Sequence, residues 1–271
     1  MCSQKELLQN LELTREMHLS IIECCDKNQI EFLSTAFGVE ELKFLIERGI
    51  KRIKIPSGEL TNLPYLEVAS SAGLPIILST GMSTIPQISA SVDILLRNGH
   101  DLEDLTILHC TSEYPAPFDT LNMSAISTIK NEFGSAVGYS DHSSGNEAAV
   151  MAVALGATTI EKHITIDRNM SGPDHHASME PAQFFDYVLA IRNASLALGN
   201  GIKQPSLAEK ENSKIVRKSI VAKKPIKRGE MLTRENLTTK RPGTGVSPMD
   251  WYDVIGTLAI RDFEIDELIE I

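Results

Sequence analysis

Residues 138–176, GYSDHSSGNEAAVMAVALGATTIEKHITIDRNMSGPDHH, decide how the chain is read. Two runs rich in β-formers, AVGYSDH and TTIEKHITI, each carry a histidine near the end, and the small-residue segment NEAAVMAVALGA between them has helical character. Strand, helix and strand make one βαβ unit, with His142 and His163 at equivalent places on consecutive parallel strands. In a (β/α)8 barrel the C-terminal strand ends form the active face, so both imidazoles converge on one point. Neutral imidazole suits divalent metals, and a site with few protein ligands leaves positions for substrate oxygens. Either histidine taken singly is more simply a core residue bonded to a neighbour. Two at matching positions, with Asp141, Glu161, Lys162 and Asp174 nearby in sequence, favour a site.

On both sides of this unit the rhythm repeats. Short β-like runs fall at 30–35, 53–56, 75–79, 106–109, 136–140 and 158–164, six in all, separated by helical segments such as VEELKFLIERG, IPQISASVDILLRNG and LNMSAISTIKNEFG. Strand spacings of roughly 20–30 residues are those of repeated βα units around a parallel sheet. A helix is expected over 7–27, with Leu8, Leu11, Leu13, Met17, Ile21 and Ile22 on its apolar face, and another over 181–198. Several runs end in polar, turn-forming clusters (STAFG, PSGELTN, STGMST, CTSEYPAP, YSDHSSG) while the opposite ends are plain, the asymmetry of a barrel's catalytic and stabilising faces. The domain reading is a partial barrel over 1–198, a polar linker over 199–214, and a compact, mostly β module over 215–271 with one short helix near 249–254.

With 271 residues, 42% of them hydrophobic, the chain can bury a full core. A net charge of −10 and a pI near 5.2 argue against a nucleic-acid surface and point to small-molecule partners. Four cysteines at 2, 24, 25 and 110, without a CxxC pair, fit a reducing compartment. The charged N-terminus resembles no signal peptide and no apolar run is long enough to span a bilayer, so a cytoplasmic location is expected, with no membrane partner.

The strand-end loops carry further candidates. Lys54 lies in a strand, where its ammonium needs a partner or an anionic ligand. Ser57 and Gly58, and then Ser79, Thr80 and Gly81, offer hydroxyl and backbone donors for a phosphate or carboxylate, unless they serve only as turn and cap residues. Glu59, Asp141, Glu161 and Asp174 are candidate acids and bases, and Lys162 is equally a salt-bridge partner. Tyr114 in SEYPAP either bonds a sugar hydroxyl or packs. His109 and Cys110 read as strand-end structure, and His175 and His176 as loop residues beside Asp174.

The ordered motifs FLSTAF, KIPSGEL, ILSTGM, LHCTSEYPAP, GYSDHSSG, EKHITIDRNMSGPDHHAS, VRKSIVAKKPIKRGE and TTKRPGTGVSP together resemble the sialic acid synthase family, the N-acetylneuraminate synthases and their legionaminate and pseudaminate relatives. The resemblance runs from about Leu11 to the C-terminus. It implies a (β/α)8 barrel joined to a C-terminal SAF, or antifreeze-like, domain, in a swapped homodimer where each small domain caps the partner's barrel. The implied reaction condenses phosphoenolpyruvate with an N-acetylated hexosamine such as N-acetylmannosamine, releasing phosphate. By the same resemblance His142 and His163 hold a divalent ion, Mn²⁺ or Mg²⁺, and the catalytic set is these two with Lys54. Lys54, Ser57, Ser79 and Thr35 match positions that hold phosphoenolpyruvate, Tyr114 and Asp174 match sugar-side positions, and Arg241 matches the arginine that reaches the N-acetyl group across the dimer. The family's first strand, with its AEIGxNHxG-like motif and glutamate, and its second, with a VKFQ-like lysine, have no counterpart in this sequence. The barrel is therefore expected to be incomplete, with about six βα units, and the alternative to an enzyme is a non-catalytic remnant or partner subunit that binds sugar or metal.

Overall fold

In the computed structural model, which describes residues 12–271, the apolar positions of each strand face one layer of helices. Five parallel strands pair in sequence order: β1 (Ile53–Ile55), β2 (Ile76–Ser79), β3 (Leu105–Cys110), β4 (Ala136–Asp141) and β5 (Thr159–Lys162). A sheet that advances one strand at a time in one direction keeps its crossover helices on one side, which is the arc of a barrel. The connecting helices are α2 (Val39–Glu47), α3 (Leu63–Ser71), α4 (Ile85–Arg97), α5 (Ala125–Phe133), α6 (Glu147–Ala154) and, after β5, α7 (Pro181–Leu198). Ile53, Ile55, Ile76, Leu78, Leu105, Ile107, Val137 and Tyr139 share one core with Leu42, Leu66, Val92, Leu95, Ile126 and Ala152 of these helices.

The alternate strand residues point to the concave side, and register sorts them into layers. Lys54, Ile77, Thr106 and Ala136 are partners across β1 to β4; Ser79, Leu108, Gly138 and Thr159 form the next layer; Cys110, Ser140 and Glu161 lie above. Gly138 has no room for a side chain, because a Cβ there would run into the Leu108 methyl and the Thr159 carbonyl oxygen.

Three expectations change. Among the described residues the run 30–35 contributes a single bridge, Thr35 to Lys54, rather than a sixth strand; Ile30 and Leu33 of that run are exposed, and Phe32 packs only partly buried against the core. The first helix, expected over 7–27, is described as α1 (Arg15–Lys27), capped by Thr14, whose hydroxyl accepts from the Met17 amide at 3.2 Å; Leu8 and Leu11 lie outside the described residues. None of its residues is buried, and Met17 and Ile21 of the expected apolar face are exposed.

The third change is in the segment read as linker. Its second half is helical, α8 (Leu207–Val216), because Ser206 and Glu209 form a capping box. By contacts the chain divides into Met1–Gly199 and Asn200–Ile271. In the second unit β6 (Ser219–Ala222) pairs antiparallel with β7 (Leu237–Lys240), isolated bridges add Leu258, Phe263 and Leu268, and α9 (Trp251–Val254) covers a small core of Ile220, Ile226, Leu232, Val254, Phe263 and Ile269. Among the described residues no helix is long and apolar enough to cross a membrane.

Candidate active site

At the top of the concave side the two imidazoles meet. The ring centroids of His142 and His163 are 5.2 Å apart, edge to face, and the Tyr114 ring lies against both, 4.2 Å from His142 and 5.4 Å from His163. His142 follows β4 directly and His163 follows β5, whose last residues Asp141 and Lys162 are register partners, so the histidines come out side by side.

The hydrogen bonds of His142 settle which of its nitrogens faces the site. Nδ1 lies 2.7 Å from the Thr111 carbonyl oxygen, which can only accept, so Nδ1 carries the proton. Ser140 Oγ gives its one proton to Glu161 Oε1 at 2.6 Å. The 3.3 Å approach of that hydroxyl to His142 Nε2 therefore brings no proton to the ring, and Nε2 keeps its lone pair. Burial lowers the pKa of His142, against the raising effect of the Thr111 bond, and keeps the ring neutral. An imidazole oriented by a carbonyl through its other nitrogen is how proteins present a metal ligand. His163 is about one-third exposed, with Nδ1 3.9 Å from Asp174 Oδ2. Burial raises the pKa of the Tyr114 phenol, as do the nearby carboxylates of Asp174 and Glu161.

Below the histidines Lys54 reaches across the concavity from β1 to β5, its Nζ 3.2 Å from Glu161 Oε2. Ser57 Oγ accepts from the Gly81 amide at 2.9 Å and sits 3.3 Å from Cys110 Sγ. A Cβ at Gly81 would meet Ser57, Cys110 and Ser112, so the glycine keeps a polar cradle open at the ends of β1 to β3. Ser79 Oγ is buried with no hydrogen-bond partner, an orphaned donor on the same concave side. Thr80 by contrast bonds the Leu108 carbonyl at 2.8 Å and has a structural use. Thr35 is held beside Lys54 by their bridge.

The candidate acids separate by face. Glu161 and Asp174 lie by the histidines, whereas Asp141 and Lys162 point the other way, into the helix layer, and Glu59 binds Asn62 Nδ2 in its own turn. His175 bonds Thr165 Oγ1 at 2.7 Å and His176 gives its carbonyl to Arg168, so both build the 164–178 loop. Arg241 belongs to the second unit, where its Nε donates to the Val216 carbonyl at 3.0 Å. Ser140, between His142 and Glu161, was not singled out from the sequence; its i, i+2 spacing to His142 is the signal that places it on the same face.

His109 faces the helices, stacked on Tyr139 with Nε2 2.7 Å from the Leu121 carbonyl oxygen. Burial lowers its pKa below 6.5, so the unfolded chain takes up the proton first as pH falls. Stability is fully present above 6.5 and declines below it. We expect a lower urea midpoint at about pH 5.5 than at about pH 7.5, and a smaller difference in His109→Gln; an equal difference in both proteins would refute the assignment.

Among the described residues no group of three or more His, Cys, Asp or Glu side chains is arranged to hold a metal ion. Two imidazoles, one with a lone pair free of any donor, nonetheless fit a cation whose remaining positions are filled by water or substrate oxygens.

The NeuB family model matches residues 1–203. The chain belongs to the NeuB family. Residues 217–270 match the SAF domain, so this NeuB chain carries the small C-terminal module expected from its motifs. It is 48% identical over 267 residues to N,N′-diacetyllegionaminic acid synthase of Campylobacter jejuni, spanning 98% of this chain and 80% of the relative. The enzyme of the same name from Legionella pneumophila is 42% identical, with 94% and 72% covered. Among solved structures, the N-acetylneuraminic acid synthetase of Leptospira borgpetersenii in complex with citrate aligns with a TM-score of 0.72 at 36% identity, covering 78% of this chain and 74% of that one. Among the described residues the NeuB fold is present as a half-barrel of five parallel strands, and the chain continues into the SAF module.

Proposed function

We propose that this NeuB chain condenses phosphoenolpyruvate with an N-acetylated hexose to give a nonulosonic acid and phosphate. The observation that carries the reading is the concave face itself, where paired imidazoles, a buried lysine and an orphaned serine hydroxyl line one space. Lys54, Ser57, Ser79 and Thr35 hold the phosphoenolpyruvate anion, with the hydroxyls and the Gly81 cradle orienting it. Its C3 carbon bonds to the acceptor's aldehyde carbon as the C=O π bond opens; water adds at C2, one of its protons passing to the new alkoxide, and the C2–O bond breaks to release phosphate with the other. A divalent cation, Mn²⁺ or Mg²⁺, held by His142 and His163 supplies Lewis-acid polarisation of the aldehyde oxygen when bound. Tyr114 packs against the sugar and excludes water from the imidazoles, Asp174 accepts from a sugar hydroxyl, and Arg241 of a partner copy in a domain-swapped homodimer reads the acetamido group.

Identity to the two legionaminic acid synthases, 48% and 42%, exceeds the 33% to the pseudaminic acid synthases of Campylobacter jejuni. Condensation adds three carbons and leaves acetamido groups untouched, so we propose a hexose with two acetamido groups as acceptor, ahead of N-acetylmannosamine. Phosphate release from phosphoenolpyruvate in the presence of Mn²⁺ tests this with each sugar in turn. Turnover with the diacetamido sugar is expected to exceed that with N-acetylmannosamine. Turnover with neither sugar would overturn the synthase reading and favour a binding subunit.

A further inference from the structure

The side of the sheet away from the proposed metal site holds a buried ion pair that the reaction does not use. Lys162 Nζ lies 3.1 Å from Asp141 Oδ2, and the two side chains are 2% and 0% exposed. Tyr187 of α7 donates to the same Oδ2 at 2.8 Å. Asp141 Oδ1 accepts from the Ser143 amide and hydroxyl at 2.8 and 2.6 Å, closing a turn with His142 at its centre. Lys162 in turn donates to the Ser143 carbonyl, so the residues on both sides of His142 are tied to the residue before His163.

We propose that Asp141 and Lys162 are positioning residues, a cross-strand tie that sets the register of β5 against β4 and thereby holds the two imidazoles adjacent. The inference rests on the reading of His142 and His163 as a shared cation site. Apolar burial fixes β5 only in part: Ile160 is its one apolar residue, and it packs against the core without being fully buried. A slip of one residue would turn His163 to the helix side and bring Lys162 to the concave side. The Asp141–Lys162 register pair opposes such a slip, because it would leave the Asp141 carboxylate buried without its cation.

Zn²⁺ alone is a suitable probe, since adjacent imidazoles bind it whatever the enzyme's chemistry. Calorimetric titration of the full chain should show binding that His142→Ala abolishes. The double variant Asp141→Asn with Lys162→Met removes the charges together while keeping an acceptor for the Ser143 amide. It is expected to stay folded by circular dichroism and to lose at least about tenfold in Zn²⁺ affinity, the range seen when groups supporting metal ligands are removed. Wild-type affinity in the folded double variant would overturn the proposal, as would a wild type that binds no Zn²⁺ through His142. Should the double variant not fold, Tyr187→Phe decides: a several-fold loss of affinity supports the tie and an unchanged affinity refutes it. Failure of phosphate release leaves this titration untouched, so the synthase reading and the tie fail separately.

Discussion

Lys162→Met alone is expected to lower the unfolding free energy by about 3–5 kcal/mol, the cost of leaving one member of a buried ion pair without the other. The substitution leaves the Asp141 carboxylate fully buried, with Tyr187 and Ser143 still donating to it and no cation to balance its charge. Hydrogen bonds from neutral groups offset part of that desolvation. If the double variant with Asp141→Asn recovers most of the loss, the cost came from the stranded charge and not from the missing methylenes. Urea unfolding followed by circular dichroism measures both. A single variant within about 1 kcal/mol of wild type would mean that the hydroxyls and the Ser143 amide satisfy Asp141 by themselves, and the ion pair would lose its structural meaning.

The two faces of this arrangement were partly legible in the sequence. The βαβ reading placed His142 and His163 together, and their edge-to-face approach follows from equivalent positions on neighbouring strands. Period-two alternation within YSDH and EKH would also have separated the acids, sending Ser140 and Glu161 to the histidine side and Asp141 and Lys162 to the helices. What alternation cannot supply is partner identity: that Tyr187, 46 residues beyond Asp141, donates to it is a product of α7 packing. The residues of the run 30–35 favour extended backbone and so predict a strand. Strand formation also needs a neighbour along its length, and Thr35 alone finds one. The polarity of 199–214 reads as linker, yet Ser206 and Glu209 at capping-box spacing start a helix none of whose residues is buried. Local capping outweighed composition there.

Lys54→Met should do the opposite of Lys162→Met, costing activity and little stability. Both lysines are buried and both face a carboxylate, but the surroundings of the carboxylates differ. Glu161 is 37% exposed and retains the Ser140 hydroxyl bond, so its charge stays partly solvated when Lys54 is removed. Asp141 has no such access to water. On the concave side Lys54 supplies the cation that the proposed phosphoenolpyruvate site needs, and loss of one preorganised group that stabilises charge developing in the transition state costs about 10²–10³ in rate. The expected result is therefore a fall of that size in kcat/KM for phosphate release, with an unfolding midpoint close to wild type. Glu161→Gln reverses the exposure argument, since it strands an ammonium that is 7% exposed, and should be the less stable of the two. Full activity in Lys54→Met would remove the lysine from the anion site and leave Ser57, Ser79 and the Gly81 cradle to hold the phosphate without it.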